Sequence, residues 1–349
     1  MVDTANDAAT PLGDFHYPAM AKTVATVDYT YDANGNMTSD GNKYISSVVY
    51  NYLNLPEVIT VAGKGRISYS YDAAGNKLKK ETVESTLTPA RTTTVTGVQA
   101  KLPISLIDIK GEKKWRVLRP GGTYILKPPF EQYSFMPEVE DLTMHLARGF
   151  NIPTADHMLL ETASGALAYL TRRFDRYEGQ KIHAEDLCQL SELAAGDKYK
   201  SSYERVGKLI NKHCTQPKLD IIKYFRLVLF CFLTGNNDMH LKNFSLMIDS
   251  KGVRLSPAYD LLNVNLVFPA DKEELALTLA GRKKNINRSD FDRFALNVGL
   301  PNQIKDHVYE DFEFLKGQAQ KWIAQSFLPE TGKEQYLNIM DAKFAQLNL

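Results

Sequence analysis

At 349 residues the chain exceeds the roughly 250 to 300 at which one core stops growing, so more than one folded unit is expected. Hydrophobic residues at 44% and charged residues at 24% exclude a disordered or fibrous chain. With 42 basic against 41 acidic side chains there is no net field to hold a polyanion, so direct nucleic-acid binding is not expected.

The first twenty residues carry Asp3, Asp7 and Asp14 and no cationic start followed by an apolar run, so no secretory leader is expected. Tyr29-Thr30-Tyr31-Asp32-Ala33-Asn34-Gly35-Asn36 returns forty residues later as Tyr69-Ser70-Tyr71-Asp72-Ala73-Ala74-Gly75-Asn76, with Tyr50-Asn51-Tyr52-Leu53-Asn54-Leu55-Pro56 between them. Alternating tyrosines place both rings of a pair on one sheet face, and Asn and Gly supply residues that tolerate positive φ, so the spacing predicts a run of antiparallel β-hairpins. Asp32, Asn34 and Asn36 imitate the start of a calcium loop, but the glycine comes too early and Lys43 stands where a bidentate Glu is needed. The segment resembles the YD repeats of Rhs proteins, which build β-shells or surface structures. Two repeats cannot close a shell, and a short appended β-ribbon is the expectation.

Thr82 to Thr94, rich in Thr and Ser around Pro89, reads as a linker, which divides the chain into 1–91, 92–176 and 177–349. Past it, Trp115 to Leu118 and Thr123 to Leu126 read as strands around the Pro120-Gly121-Gly122 turn. Glu138 to Phe150 reads as a helix, and His157 to Glu161 with Ala166 to Phe174 as a hairpin about Ser164-Gly165. Helices then dominate: Leu187 to Ala195, Tyr203 to Asn211, Leu219 to Leu233, Ser289 to Asn297 and Gln303 to Ala324. Leu219 to Leu233 is shorter than a membrane span and is interrupted by Lys223 and Arg226, so a core helix is expected and no membrane association. Cys188, Cys214 and Cys231 show no CxxC spacing, which argues against a cysteine zinc site or disulfides and fits a cytoplasmic location. The predicted fold is α+β: a β-rich lobe, then a helical lobe, with a ligand clamped between them.

Phosphoryl transfer needs a carboxylate to orient the attacking hydroxyl and oxygen ligands for magnesium. Asp238 and Asn243 have the five-residue offset of a kinase catalytic loop, and Asp260 follows after a probable strand (Phe244 to Asp249) and a turn at Ser250-Lys251-Gly252 that would return it beside Asn243. Alone, D-x-x-x-x-N arises easily by chance. Its surroundings, Gly235-Asn236-Asn237-Asp238-Met239-His240-Leu241-Lys242-Asn243 and Ser256-Pro257-Ala258-Tyr259-Asp260, resemble the catalytic and metal-binding motifs of HipA-family kinases, the toxin kinases of bacterial toxin-antitoxin modules. The resemblance covers about three quarters of the chain, from Thr92 to the C-terminus.

That resemblance implies a bilobal protein-kinase-like fold. It makes Asp238 the catalytic base and Asn243 and Asp260 the magnesium ligands, and it puts Tyr259 with the nucleotide. His240 either touches phosphate or bonds a neighbouring carbonyl. Thr94 to Lys101 resembles the family's phosphate loop, so Thr96, Gly97, Val98, Gln99, Ala100 and Lys101 would meet ATP. Thr94 and Thr96 occupy the positions of the serines whose autophosphorylation switches the family off. Lys127 resembles the lysine that contacts ATP phosphates, with Glu140 as its partner, although Val139 replaces the usual Asn. Thr171, Arg172, Arg173 and Phe174 match the hinge that meets adenine. Relatives act on aminoacyl-tRNA synthetases and halt translation, and the implied partners are such a protein substrate, a HipB-like DNA-binding antitoxin and a small HipS-like protein. Two other readings remain open at this point: a catalytically silent nucleotide-binding or partner-binding module, and the kinase cargo of an Rhs-type secreted toxin.

Overall fold

A computed structural model of the chain describes residues 27–62, 65–71, 77–84, 101–109, 111–118, 122–130, 133–162, 164–177 and 180–349. It divides into two compact units, Met1–Thr93 and Thr94–Leu349.

The first unit is an antiparallel meander in which β1 (Tyr29–Tyr31), β2 (Met37–Asp40), β3 (Ile45–Tyr50), β4 (Pro56–Val61), β5 (Gly65–Tyr71) and β6 (Lys77–Glu84) pair in chain order. Turn chemistry fixes it. Asp32 Oδ1 accepts the amides of Asn34 and Asn36, and Gly35 turns the chain at φ 82°. Asn51 repeats the device nineteen residues on: its Oδ1 accepts the amides of Leu53 and Leu55, and Asn54 stands at φ 56° where Gly35 stood. Tyr50-to-Pro56, the intermediate tyrosine pair of the sequence, is therefore a further copy of the same unit, with Asn in place of Asp and Asn in place of Gly. The tyrosines stitch copies together, since Tyr50 Oη donates to the Met37 carbonyl at 2.9 Å and Tyr71 Oη to that of Pro56 at 2.8 Å. The Asp32 carboxylate, which opened the calcium-like pattern, is committed to its turn, with Asn36 Nδ2 also on Oδ2. The turn of the second YD copy, Asp72 to Asn76, lies outside the described residues.

The second unit begins with a sheet of β7 (Leu102–Ile109), β8 (Glu112–Val117), β9 (Tyr124–Lys127), β10 (His157–Glu161) and β11 (Leu167–Arg172), ordered β10-β11-β9-β7-β8 and antiparallel throughout. Sequence patterning missed β7. It read β8 and β9 as strands about one turn, whereas they pair on opposite edges of β7. Gly122 permits this, because a Cβ there would lie 2.5 Å from the Ile104 main-chain nitrogen. α1 (Met136–Gly149), with Pro137 in its first turn, lays Val139, Leu142, Leu146 and Ala147 into the core and packs on β10 and β11.

A small hairpin, β12 (Arg176–Tyr177) with β13 (Gln180–Lys181), leads to a three-stranded sheet of β14 (His183–Asp186), β15 (Ser245–Asp249) and β16 (Gly252–Leu255). Helices supply the rest: α2 (Leu187–Leu190), α3 (Tyr203–His213), α4 (Pro217–Leu233), α5 (Val264–Val267), α6 (Arg288–Asn297), α7 (Asn302–Ala324) and α8 (Glu330–Gln346). α2 is shorter than predicted, ending before Glu192, which adopts φ 56°. α8 was not predicted, although Tyr336, Met340 and Phe344 recur every fourth residue and are fully buried. α4 runs through the middle of the core, where Tyr224 and Phe225 meet Phe244, Phe291 and Phe294 edge-on or stacked. Arg226, the charge that interrupted its apolar run, is buried, with its two terminal nitrogens held by Asp311 Oδ2 at 2.7 Å and the Phe150 carbonyl at 3.0 Å while Nε finds no partner among the described residues. Among the described residues no helix is long and apolar enough to cross a membrane.

Candidate active site

The loop that leaves α4 is held from below. Gly235 turns it at φ 66°, with the Asn263 and Asn265 side-chain oxygens 2.9 Å from where a Cβ would be. Met239 and Leu241 are fully buried; Tyr203 Oη donates to the Met239 carbonyl at 3.1 Å, and the Leu241 amide to that of Lys198 at 3.2 Å. This anchoring leaves Asp238, half-exposed, facing the space between sheet and helices. The loop is closed on itself: the His240 amide and Asn243 Nδ2 both donate to the Asp238 carbonyl, at 2.8 and 3.0 Å. Using its nitrogen this way leaves the Asn243 side-chain oxygen for a cation.

The β15–β16 hairpin then returns the chain to the same place. Tyr259 Oη donates to the Lys242 carbonyl at 2.9 Å and lies 2.7 Å from Ser245 Oγ, which sets Asp260 beside the loop. Asp260 adopts φ 59°, a left-handed conformation that Asp tolerates better than most residues and that is held here by what surrounds it.

Across the cleft, Lys127 ends β9 and its Nζ reaches Glu140 Oε1 on α1 at 2.5 Å; the same ammonium contacts Asp260 Oδ1. Lys101 Nζ holds the other Asp260 oxygen at 3.0 Å. One buried ammonium thus serves two carboxylates, and they divide unequally. Burial opposes ionisation of Asp260, but Lys127 and Lys101 outweigh it and hold the carboxyl far below its usual range. Glu140 is more deeply buried and lies near the Asp260 charge, so burial outweighs the pull of Lys127 and Lys101 and pushes it up to about 7. Burial lowers His240, whose Nδ1 has no partner and whose Nε2 is 4.0 Å from Asp238 Oδ1.

These groups line one cleft of about 600 Å³ between the sheet and the helices. It brings together Lys101, Lys127, Glu140, Arg172, Arg173, Phe174, Asp238, His240, Asn243, Tyr259 and Asp260 from every part of the second unit. At the hinge the Arg172 amide donates to the Asp156 carbonyl and that of Arg173 to the Thr123 carbonyl, while the Arg173 guanidinium grips Asp175 at 2.9 and 2.7 Å. All four hinge candidates, Thr171, Arg172, Arg173 and Phe174, line the cleft, and the Phe174 ring lies 5.2 Å from that of Tyr259. Thr94, Thr96, Gly97, Val98, Gln99 and Ala100 lie outside the described residues. One functional contact escaped the sequence: Tyr199 Oη donates to Asp238 Oδ1 at 2.5 Å, its ring edge-on to His240 at 5.0 Å. Thirty-nine residues separate the two, so spacing carried no signal.

An antiparallel sheet carrying one helix, joined through a hinge to a helical lobe with the charged groups facing inward, is a two-lobed, protein-kinase-like α+β fold. The sequence narrows this class. Residues 93–321 match the HipA-like C-terminal domain, and the chain belongs to that family. It is 29% identical over 285 residues to the "Putative kinase" of Haemophilus influenzae, covering 73% of this chain and 82% of that protein. It is 30% identical over 219 residues to "Putative kinase Y4mE" of Sinorhizobium fredii, covering 59% and 51%. The serine/threonine-protein kinase toxin HipA of Shewanella oneidensis is 28% identical over 211 residues, covering 52% and 46%. The chain thus spans about half the length of the last two. HipA of S. oneidensis, solved with HipB and its operator DNA, has the same fold at a TM-score of 0.60 and 22% identity, over 73% of this chain and 65% of that one.

Proposed function

We propose that the chain is a HipA-type serine/threonine protein kinase that transfers the γ-phosphate of ATP to a protein hydroxyl. The observation that carries this reading is the meeting, in one cleft, of the Lys127–Glu140 pair and Asp260 with the Asp238–Asn243 loop. Asp238, half-exposed and accepting a hydroxyl already, is the group to orient the acceptor hydroxyl and take its proton. Lys127 supplies a buried positive charge for the phosphates, with Glu140 fixing its direction. Phe174 and Tyr259 offer the adenine an aromatic wall, and Lys101 is placed to meet the phosphates, with Thr96 to Ala100 assigned to them by the sequence resemblance.

A hard cation fits the donors present: the Asn243 side-chain oxygen and the Asp260 carboxylate are both oxygen ligands, and the latter is held ionised. Bound there, magnesium would neutralise charge on the phosphates.

In this reading residues 92–176 are the nucleotide lobe, 177–349 the helical lobe, and 1–91 an appended YD-type repeat segment. The family resemblance of the motifs points to a cytoplasmic protein target such as an aminoacyl-tRNA synthetase, with arrest of translation as the outcome. The HipA structure solved with HipB supports a HipB-like antitoxin as partner; a small HipS-like protein and self-inactivation at Thr94 or Thr96 rest on the sequence resemblance alone. Phosphoproteomics after brief expression of wild type and Asp238→Asn tests the target: a small set of serine or threonine sites should appear with wild type alone. Identical phosphoproteomes would refute the reading.

A further inference from the structure

Outside the cleft, between α1 and β10, two imidazoles converge on a single carboxylate. Asp141 and His145 are one helical turn apart on α1, and His157 begins the neighbouring strand β10. His157 Nδ1 lies 2.9 Å from Asp141 Oδ1. His145 Nδ1 lies 3.4 Å from Asp141 Oδ2 and 3.0 Å from the Asp141 carbonyl. The rings meet edge to face at 4.4 Å, and one candidate ligand atom from each residue falls within 4.8 Å of the others.

The His157 side chain is fully buried, and its Nε2 has no partner, so its only polar anchor points into this cluster. An isolated histidine in the core needs one acceptor and does not need a second imidazole on the same carboxylate. The spacings suit a metal instead: bonds of about 2.0 to 2.2 Å to nitrogen and oxygen put neighbouring ligands of a tetrahedral ion about 3.3 Å apart. Two imidazoles and a carboxylate select a borderline ion such as zinc over magnesium or calcium. His145, 55% exposed, gives an entry path and leaves room for a water as a further ligand.

We propose that Asp141, His145 and His157 bind a zinc-class divalent ion that ties α1 to β10. The position gives the tie a consequence. Asp141 follows Glu140 on α1, and β10 pairs with β11, whose Tyr169 ring stacks on His157 at 5.8 Å and lies 5.3 Å from Lys127 Nζ. The ion would fix α1, which carries Glu140, to the sheet in which β9, two strands from β10, carries Lys127, without entering the cleft.

The test needs no nucleotide and does not depend on the kinase reading. The full chain, without a polyhistidine tag, is titrated calorimetrically with zinc chloride in excess magnesium, and its thermal midpoint is followed with and without zinc. One zinc per chain at micromolar affinity or tighter is expected, with a raised midpoint. His145→Ala, a surface change on a helix, should weaken binding by at least about tenfold and abolish the midpoint shift while leaving the circular dichroism unchanged. His307→Ala, which removes the exposed histidine beside Glu310 and Asp311, should leave both unchanged. The absence of zinc binding at millimolar concentration overturns the proposal. So does binding that survives His145→Ala, or binding that is lost in His307→Ala.

Discussion

Lys127 cannot neutralise Glu140 and Asp260 equally, and that imbalance is measurable. Glu140 sits at about 7 in the folded chain against an ordinary 4.5, so between these values the native state holds a proton that the unfolded state has released. Stability therefore falls as pH rises through this window and the cost is complete above it. Asp260, depressed, works in the opposite sense and only in strong acid, so the two do not overlap. From about pH 5 to about pH 8 the thermal midpoint of wild type should fall relative to that of Glu140→Gln; parallel curves would show that Glu140 is not a buried, undercompensated carboxylate. Tyr199 makes a second residue-scale case. Its hydroxyl holds the Asp238 oxygen that an acceptor hydroxyl must reach. Tyr199→Phe should lower KM for the acceptor protein severalfold and leave magnesium-ATP affinity unchanged; an equal change in both would place Tyr199 in nucleotide binding instead. Asp238, Asn243 and Asp260 could be named from the sequence because their chemistry lies in short local patterns. Tyr199 could not, since only the tertiary fold brings it to Asp238.

At the scale of elements, the fit of α1 to the helical lobe depends on one missing side chain. A Cβ on Gly149 would lie 2.0 Å from the Trp322 ring on α7. Gly149→Ala should therefore cost roughly 1 to 3 kcal/mol in urea unfolding, despite alanine's better helix propensity. A gain in stability would mean that Trp322 moves aside freely. Periodicity made α1, α3, α4, α6 and α7 and the β10–β11 hairpin legible, because each buries one face. It failed where burial follows from non-local pairing. β7 lies between strands that sequence order set side by side, and the passage of Gly122 against Ile104 depends on a contact that local patterning does not encode. In the repeat unit, Asn51 and Asn54 do the work of Asp32 and Gly35, so a motif search sees two copies where the backbone repeats the turn again.

At the scale of the whole molecule, the main apolar core among the described residues runs from Val139 to Leu347, inside the second unit. A chain beginning at residue 92 should accordingly keep a cooperative thermal transition within a few degrees of the full-length protein. A non-cooperative melt would show that the repeat unit is needed for folding. The α+β class was legible because a β-rich stretch precedes a helical one. The course of the cleft was not, since it is assembled from β9, α1, the loop after α4 and the return of β16. The central claim is that this cleft transfers phosphate, and the most direct measurement is incubation of purified chain with γ-labelled ATP, magnesium and a cell lysate. Wild type should label a small set of proteins, and Asp238→Asn should reduce that labelling by roughly a hundredfold or more. Equal labelling by the two, with both proteins folded, would contradict it.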